Sequence, residues 1–191
     1  GHVLDIERDR RGKFQEDGNH REEKAPKAAE KWEIARELNA LHRVINNFFS
    51  AGIHALYCKE KDGATQAIRS LEQALMIYRS FIKTTRIAQA IEEGSEEYRN
   101  FHCIVGDLSY HAALAYFRVG EIPFSYDLVA DAIEAFKISE DRTRMQHALG
   151  LRSLILTLMD QKETAEASIV EAGKLAKEPL ESSVDVVRQI R

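Results

Sequence analysis

Two arginine and histidine pairs carry the side chains best suited to acid and base chemistry in this sequence. Arg142 and His147 stand at the two ends of RTRMQH, and Arg36 and His42 stand at the two ends of RELNALH. An arginine can stabilise the charge of a phosphate while a histidine transfers protons near neutral pH. Both residues of a pair would face one groove, so phosphodiester cleavage is the reaction that these pairs suggest.

The spacing resembles the arginine, four to six residues, histidine pattern of small all-helical, HEPN-like ribonucleases. Thr143 follows Arg142, however, where that family usually has Asn, Asp or His. A chain with 27 Lys and Arg residues and 7 His residues also produces such spacings by chance. We therefore expect no turnover on RNA, and a HEPN-like ribonuclease is kept only as the enzyme alternative.

Histidine and cysteine side chains suggest a second chemistry, metal binding. His54 and Cys58 are one helical turn apart and could share a metal ion with a residue of another helix, namely His102, Cys103 or His111. A cysteine on a helix is more often a small buried apolar residue, and the sequence has no CxxC or HExxH motif. A phosphate-binding loop, a dinucleotide fingerprint and a serine-nucleophile elbow are also absent. We predict that the chain is not an enzyme and that it has neither a cofactor nor a metal site.

Composition limits the remaining classes of function. The 191 residues suffice for one helical domain with a sizeable core, and 44% of them are apolar. No apolar run approaches the roughly 20 residues of a membrane-spanning helix. The formal charge of −4 argues against a nucleic-acid partner. Two cysteines are too few for a disulfide framework, which favours a cytoplasmic location.

The chain divides into three predicted regions. Residues 1–26 form a charged N-terminal arm, because the stretch from Val3 to Lys31 holds 8 acidic and 8 basic residues and few apolar ones. Residues 27–178 form the helical domain. Residues 179–191 form a short last helix, at Val184–Ile190, or a tail.

Apolar residues in the central region follow helical spacing, so the predicted fold class is all-α. Two long seams, within 34–55 and 67–88, predict helices that pair across Asp62 and Gly63. Ser95 is placed to begin a third helix that ends at Val119, and Pro123 fits the first turn of a fourth. Asp141 can cap a fifth helix that reaches about Asp160, and a sixth ends before Pro179.

Residues 106–138 resemble a tetratricopeptide repeat (TPR). AYFRVGEI matches the end of the first helix and the turn of that repeat, and Ser125 and Ala132 are the two small residues, seven apart, of its second helix. The same spacing recurs in DGATQAIRSLEQAL, at Ala67 and Ala74, and in ETAEASIVEAGKL, at Ala165 and Ala172. The resemblance implies antiparallel helical hairpins stacked as an array, with an elongated first hairpin.

In that family, the first helix of each repeat lines a groove that binds peptides or helices of partner proteins. Carried onto this chain, the resemblance implies a mostly apolar groove lined by Asp107, Tyr110, Leu114, Phe117, Arg118, His147, Leu154 and Leu158. Tyr110 and Phe117 would anchor the partner, and Arg118 would meet a carboxylate. A competing interpretation buries Leu114, Leu154 and Leu158 in the core of the domain.

The sequence therefore predicts a module that binds a protein or peptide partner, such as a scaffold, adaptor or regulatory domain. The closest alternative is a self-associating structural subunit of a complex, because a heptad-like seam and a charged arm are compatible with a homodimer. We predict no membrane partner.

Overall fold

The structure is a computed structural model that describes the backbone of residues 24–58, 60–84, 91 and 93–177. Side chains are described from residue 32 onward within those ranges, apart from residues 34, 82–84 and 177. The described residues form six helices, with no strand among them: α1 (Lys24–Tyr57), α2 (Gly63–Thr84), α3 (Glu96–Val119), α4 (Ile122–Ile138), α5 (Arg142–Leu158) and α6 (Lys162–Lys177). The prediction of an all-α fold is confirmed.

The chain divides into two compact units, residues 1–43 and residues 44–191, and the boundary falls within α1. In the described part of the first unit, α1 begins at Lys24, so Pro26 lies in the first turn, where backbone N–H groups have no helical partner. Arg36 there lies over the ring of Trp32, at 5.3 Å from its centroid. The predicted arm and the predicted last helix at Val184–Ile190 lie outside the described residues.

Side-chain caps begin α3 and α5 where the sequence predicts them. The Ser95 hydroxyl accepts a hydrogen bond from the backbone N–H of Tyr98 at 3.1 Å, and the Asp141 carboxylate accepts one from the N–H of Arg144 at 2.9 Å. Pro123 lies in the first turn of α4. The hydrogen bonds to Ser95 and Asp141 satisfy backbone N–H groups that the helices themselves leave unpaired.

The three turns that follow α3, α4 and α5 share one geometry. Gly120, Glu140 and Asp160 all have left-handed backbone conformations, with φ of 85°, 59° and 58°. In each turn the left-handed residue donates its N–H to the carbonyl three residues earlier, and the next residue donates to the carbonyl five residues before it. This is the Schellman arrangement of helix C-termini, and it recurs every 20 residues.

From α2 onward, consecutive helices pack in adjacent pairs, and α3 also contacts α5. One apolar core joins buried residues of α3, α4 and α5: Ala113, Val129, Ala132, Ile133, Phe136, Ala148, Leu149, Leu151 and Ile155. In the part of α1 that belongs to the second unit, a side chain at Gly52 would overlap Leu71 of α2.

Small residues allow these close approaches. The Ser125 hydroxyl is fully buried and donates to the carbonyl of Ala113 at 2.8 Å, which holds α4 against α3. A side chain at Gly106 would overlap the ring of Phe136. Of the small residues that suggested repeats, Ala67, Ala74, Ser125, Ala132 and Ala165 are buried, while Ala172 is half-buried.

Candidate functional site

Five of the eight predicted site residues lie on α3, and they differ in exposure. Tyr110, Leu114 and Phe117 are half-buried and pack with one side against the apolar core. The other side of α3 carries the fully buried Ala112 and Ala115. The three larger residues therefore keep part of their surface accessible while the helix is anchored through small residues.

Asp107 is already engaged in an ion-pair cluster at the start of α5. Its carboxylate meets Nε of Arg144 at 2.9 Å, and Arg144 also pairs with Asp141. Partial burial raises the pKa of Asp107, and the charge of Arg144 opposes that rise. For Asp141, the hydrogen bonds from Arg144 outweigh the effect of burial and lower the pKa. The contacts of Asp107 make it a residue that fixes α5 beside α3.

The Asp107 carbonyl oxygen lies 2.8 Å from Nδ1 of His111, one turn further along α3. The imidazole packs edge to face with Phe49 of α1, with ring centroids 5.4 Å apart, and with Tyr110, at 5.2 Å. Burial lowers the pKa of His111. His111 is therefore a neutral packing residue between α1 and α3 near neutral pH.

Tyr110 and His147, two of the predicted site residues, lie close together. They line one shallow cavity of about 560 Å³, together with Gln146, Gly150 and Ala172. Burial and the nearby hydroxyl of Tyr57 raise the pKa of Tyr110, so this phenol stays protonated and can donate a hydrogen bond. The cavity has an aromatic wall and two polar side chains.

Arg118 contacts the C-terminal end of α1. Its guanidinium donates to the carbonyl of Leu56 and lies over the ring of Tyr57, 5.7 Å from the centroid. A cation near a helix C-terminus interacts favourably with the carbonyl groups that are left unpaired there. Arg118 itself remains exposed.

Leu154 and Leu158 are exposed, which makes the interpretation of these two residues as core wrong. Their relative exposures are 58% and 63%, whereas the neighbouring Leu151 and Ile155 are buried. The two leucines lie one turn apart and thus share a face of α5 that the described helices do not cover. Leu114 is only half-buried, between the two interpretations.

Sequence reasoning missed the contributions of Tyr57 and Arg144. Tyr57 is exposed beside Arg118 and close to Tyr110, yet it stands at the end of a helix that the resemblance did not assign to the groove. Arg144 lies between Arg142 and His147, and it makes the contacts to Asp107 and Asp141. Asp141 and Arg144 lie three positions apart, and this spacing could have indicated the ion pair between these two residues.

The His and Cys side chains that suggested a metal site do not form one in the described part of the structure. Among those residues, no group of three or more His, Cys, Asp or Glu side chains could hold a metal ion. Cys103 instead lies 4.0 Å from an oxygen of Asp141, and burial raises the pKa of its thiol. The absence of RNA cleavage stays a prediction.

Comparison with protein-family models, curated protein sequences and solved structures gave no match. None of the helices in the described ranges combines the length and apolar character needed to cross a bilayer.

Proposed function

We propose that residues 44–177 form a TPR-like array that binds an apolar segment or amphipathic helix of a partner protein. The binding surface would be a groove along α1, α3 and α5. Three observations support this proposal: the arrangement of the helices, the exposure of the leucines on α5 and the cavity beside Tyr110.

Contacts across the turns favour antiparallel hairpins. Between α3 and α4, Gly106 approaches Phe136, the Ala113 carbonyl meets Ser125, and the ring of Tyr116 stacks on Phe124. The residue number in α4 falls as the number in α3 rises, which is the pattern of two helices running in opposite directions. Between α5 and α6, Arg152 bonds to Ser168 at 3.0 Å and to Glu171 at 3.2 Å.

Contacts between alternate helices favour stacking of those hairpins. Phe49 meets His111, and the Leu56 carbonyl meets Arg118, both at a separation of 62 positions. Asp107 pairs with Arg144, and Tyr110 shares a cavity with His147, both 37 positions apart. A constant separation is the pattern of helices that run in the same direction, so α1, α3 and α5 would line one face side by side.

The exposure of Leu154 and Leu158 is the observation that carries the proposal. His147, Leu154 and Leu158 follow at intervals of seven and four, so they form one stripe on α5, and His147 shares its cavity with Tyr110. Covering an exposed leucine contributes roughly 1.5–3 kcal/mol, reduced by the part that is already buried. A partner that covers this stripe therefore gains affinity without displacing a helix of the domain.

The roles of the polar residues follow from their contacts. Tyr110 can donate a hydrogen bond at the base of the groove, and Phe117 presents part of its ring. The Arg118 guanidinium is held by Leu56 and Tyr57 and has further N–H groups for a carboxylate of the partner. An apolar segment with an acidic residue at one end would match this set.

The test compares two surfaces of the same chain. The double variant Leu154→Lys/Leu158→Lys introduces charges in the stripe, and Val170→Lys introduces one at an exposed position of α6 as the matched control. Partners are captured from the source cell with the parent chain, identified, purified and titrated against all three proteins by calorimetry. We expect the double variant to lose at least tenfold in affinity, about 1.4 kcal/mol, and the control to bind as the parent does.

Because all three positions are exposed, the melting temperatures should agree within a few degrees. A purified partner that binds the folded double variant as tightly as the parent would exclude the groove as its binding site.

A further inference from the structure

A second apolar surface lies on the face formed by α2 and α4. Met76 and Phe124 are 55% and 57% exposed there. Between the two helices runs an open cleft of about 430 Å³, whose apolar lining comes from Leu75, Met76 and Leu128. Of the two exposed residues, Met76 lines the cleft and Phe124 does not. Exposed apolar residues that form one continuous patch mark a contact surface more often than isolated ones do.

Side-chain contacts make this face continuous. Phe124 stacks on Tyr116, with ring centroids 5.5 Å apart, and the Tyr116 hydroxyl donates to Glu72, which lines the cleft. Burial and the bond to Glu72 raise the pKa of Tyr116 to about 12. At the other end of the cleft, Arg79 pairs with Asp131 at 3.1 Å. The surface thus extends from the α3–α4 turn along both helices.

The two helices bear opposite charges at matching levels. Arg79 and Asp131 are 52 positions apart, and the same separation relates Met76 to Leu128 in the cleft. Further towards the N-terminal ends of the helices it also relates Arg69 to Glu121, and both are exposed. A basic residue of α2 therefore stands level with an acidic residue of α4 or its N-cap at each end. Between these ends the cleft is lined by the apolar Leu75, Met76 and Leu128 and by the polar Glu72 and Gln73.

We propose that this face binds a second copy of the chain, so that the protein forms a two-fold symmetric dimer through α2 and α4. A two-fold axis parallel to the helices and between them places α2 of each copy against α4 of the other, at the same level. Arg79 of one copy then opposes Asp131 of the other, and Met76 opposes Leu128. An isologous interface requires this kind of self-complementary surface.

The charges at the end of the cleft favour this occupant. The two copies of Arg79 and Asp131 would form a square of alternating sign, in which each charge has two opposite neighbours. Within one chain the side chains of Arg79 and Asp131 remain 58% and 55% exposed although they are paired, so both keep room for another partner. A uniformly basic or acidic partner would meet a repelling residue at each end.

The dimer should be weak. The matched residues span about three turns of two helices, or roughly 15 Å along each. Such an area lies at the low end of specific interfaces, so we expect dissociation constants in the micromolar range. This surface is separate from the proposed groove on α1, α3 and α5, and its failure would leave the groove proposal unaffected.

Complementary charge reversals test the dimer with the full chain. Arg79→Glu places acidic side chains at both positions of the pair, and Asp131→Arg places basic side chains at both, so each variant alone repels its own copy. When the two variants are mixed, the acidic side chain introduced at position 79 of one faces the basic side chain introduced at position 131 of the other. The unchanged Asp131 of the first variant likewise faces the unchanged Arg79 of the second. The pairing within each chain stays broken in the mixture, so restored association can only arise between chains.

Sedimentation equilibrium from about 1 to about 300 µM measures the result. We expect the parent chain to pass from one to two chain masses, each variant alone to weaken association at least tenfold, and the mixture to recover it. Circular dichroism and melting curves confirm that the variants are folded, and Met76→Lys provides a second disruption without changing the ion pair. A parent chain that stays monomeric, single variants that dimerise as the parent does, or a mixture without recovery would each overturn the proposal.

Discussion

The pair α3 and α4 and the pair α5 and α6 use one plan but differ in how far they are covered. A shift of 40 positions matches the left-handed turn residue Gly120 with Asp160 and the small buried Ser125 with Ala165. The same shift matches Val129, which is fully buried, with Ile169, which is 60% exposed. The difference arises because α5 packs on α4, whereas no helix of the described residues packs in the same way on α6. Equivalent apolar positions therefore have structural or surface roles according to their place in the array.

The largest effect should come from truncating the matched pair Val129 and Ile169. Val129→Ala removes two methyl groups from the core and leaves a cavity, so we expect a loss of about 2 kcal/mol in the free energy of unfolding. Ile169→Ala removes more atoms from an exposed site and should cost less than about 0.5 kcal/mol. Urea unfolding of both variants measures the two values. Equal losses in the free energy of unfolding would mean that Ile169 is covered by a part of the protein, or by another chain, that lies outside the described residues.

How much of this difference could be predicted from sequence depends on the kind of signal. Ser95, Asp141 and Pro123 act through their own backbone or the next turn, and each was predicted where the structure places it. The small residues of α2, α4 and α6 were recognised because close helix packing demands them at a fixed spacing.

Burial of larger residues could not be predicted in the same way. Leu151 and Leu154 lie three positions apart on one helix, yet only the first is buried. An amphipathic pattern shows that a face is apolar but not which other helix reaches it, because that depends on contacts between distant parts of the chain. The ion pair of Arg144 with Asp107 and the contact of Arg118 with Leu56 escaped prediction for the same reason.

A second, smaller difference between the pairs concerns pH. The shift of 40 positions matches the half-buried His111 with the buried Leu151. Burial lowers the pKa of His111 below its ordinary value of 6.5, so the unfolded chain binds the proton more tightly than the folded one. The stability contributed by a neutral His111 is therefore present above pH 6.5 and lost as the pH falls below it.

We expect the free energy of unfolding to decrease between about pH 7.5 and about pH 5.5, with a smaller slope in His111→Leu, which gives α3 the residue of α5. His102 has a lowered pKa for the same reason and should account for part of the remaining slope. Asp107 contributes in the opposite sense, because its raised pKa means that the folded state binds the proton more tightly than the unfolded chain does. Urea titrations at several pH values give the slopes, and identical slopes for both proteins would exclude His111 as a source.

The smallest effect should come from the turns, where the left-handed residue is Gly120 in one pair and Asp160 in the other. Gly120 adopts its left-handed conformation at no steric cost, whereas Asp160, with φ of 58°, places a Cβ in a region that disfavours it. Asp160→Gly should therefore raise the free energy of unfolding by about 0.5–1 kcal/mol, or roughly 1–4 °C in melting temperature, since relief of strain exceeds the added freedom of the unfolded chain. Gly120→Ala should lower the free energy of unfolding by about 1 kcal/mol although nothing lies within 4 Å of the added methyl group, because only the backbone conformation opposes that change.

Differential scanning calorimetry of both variants measures the shifts in melting temperature. Opposite signs would show that the shared turn geometry governs both sites, whereas a destabilised Asp160→Gly would show that the aspartate makes a contribution beyond its conformation, such as its 3.5 Å ion pair with Lys162.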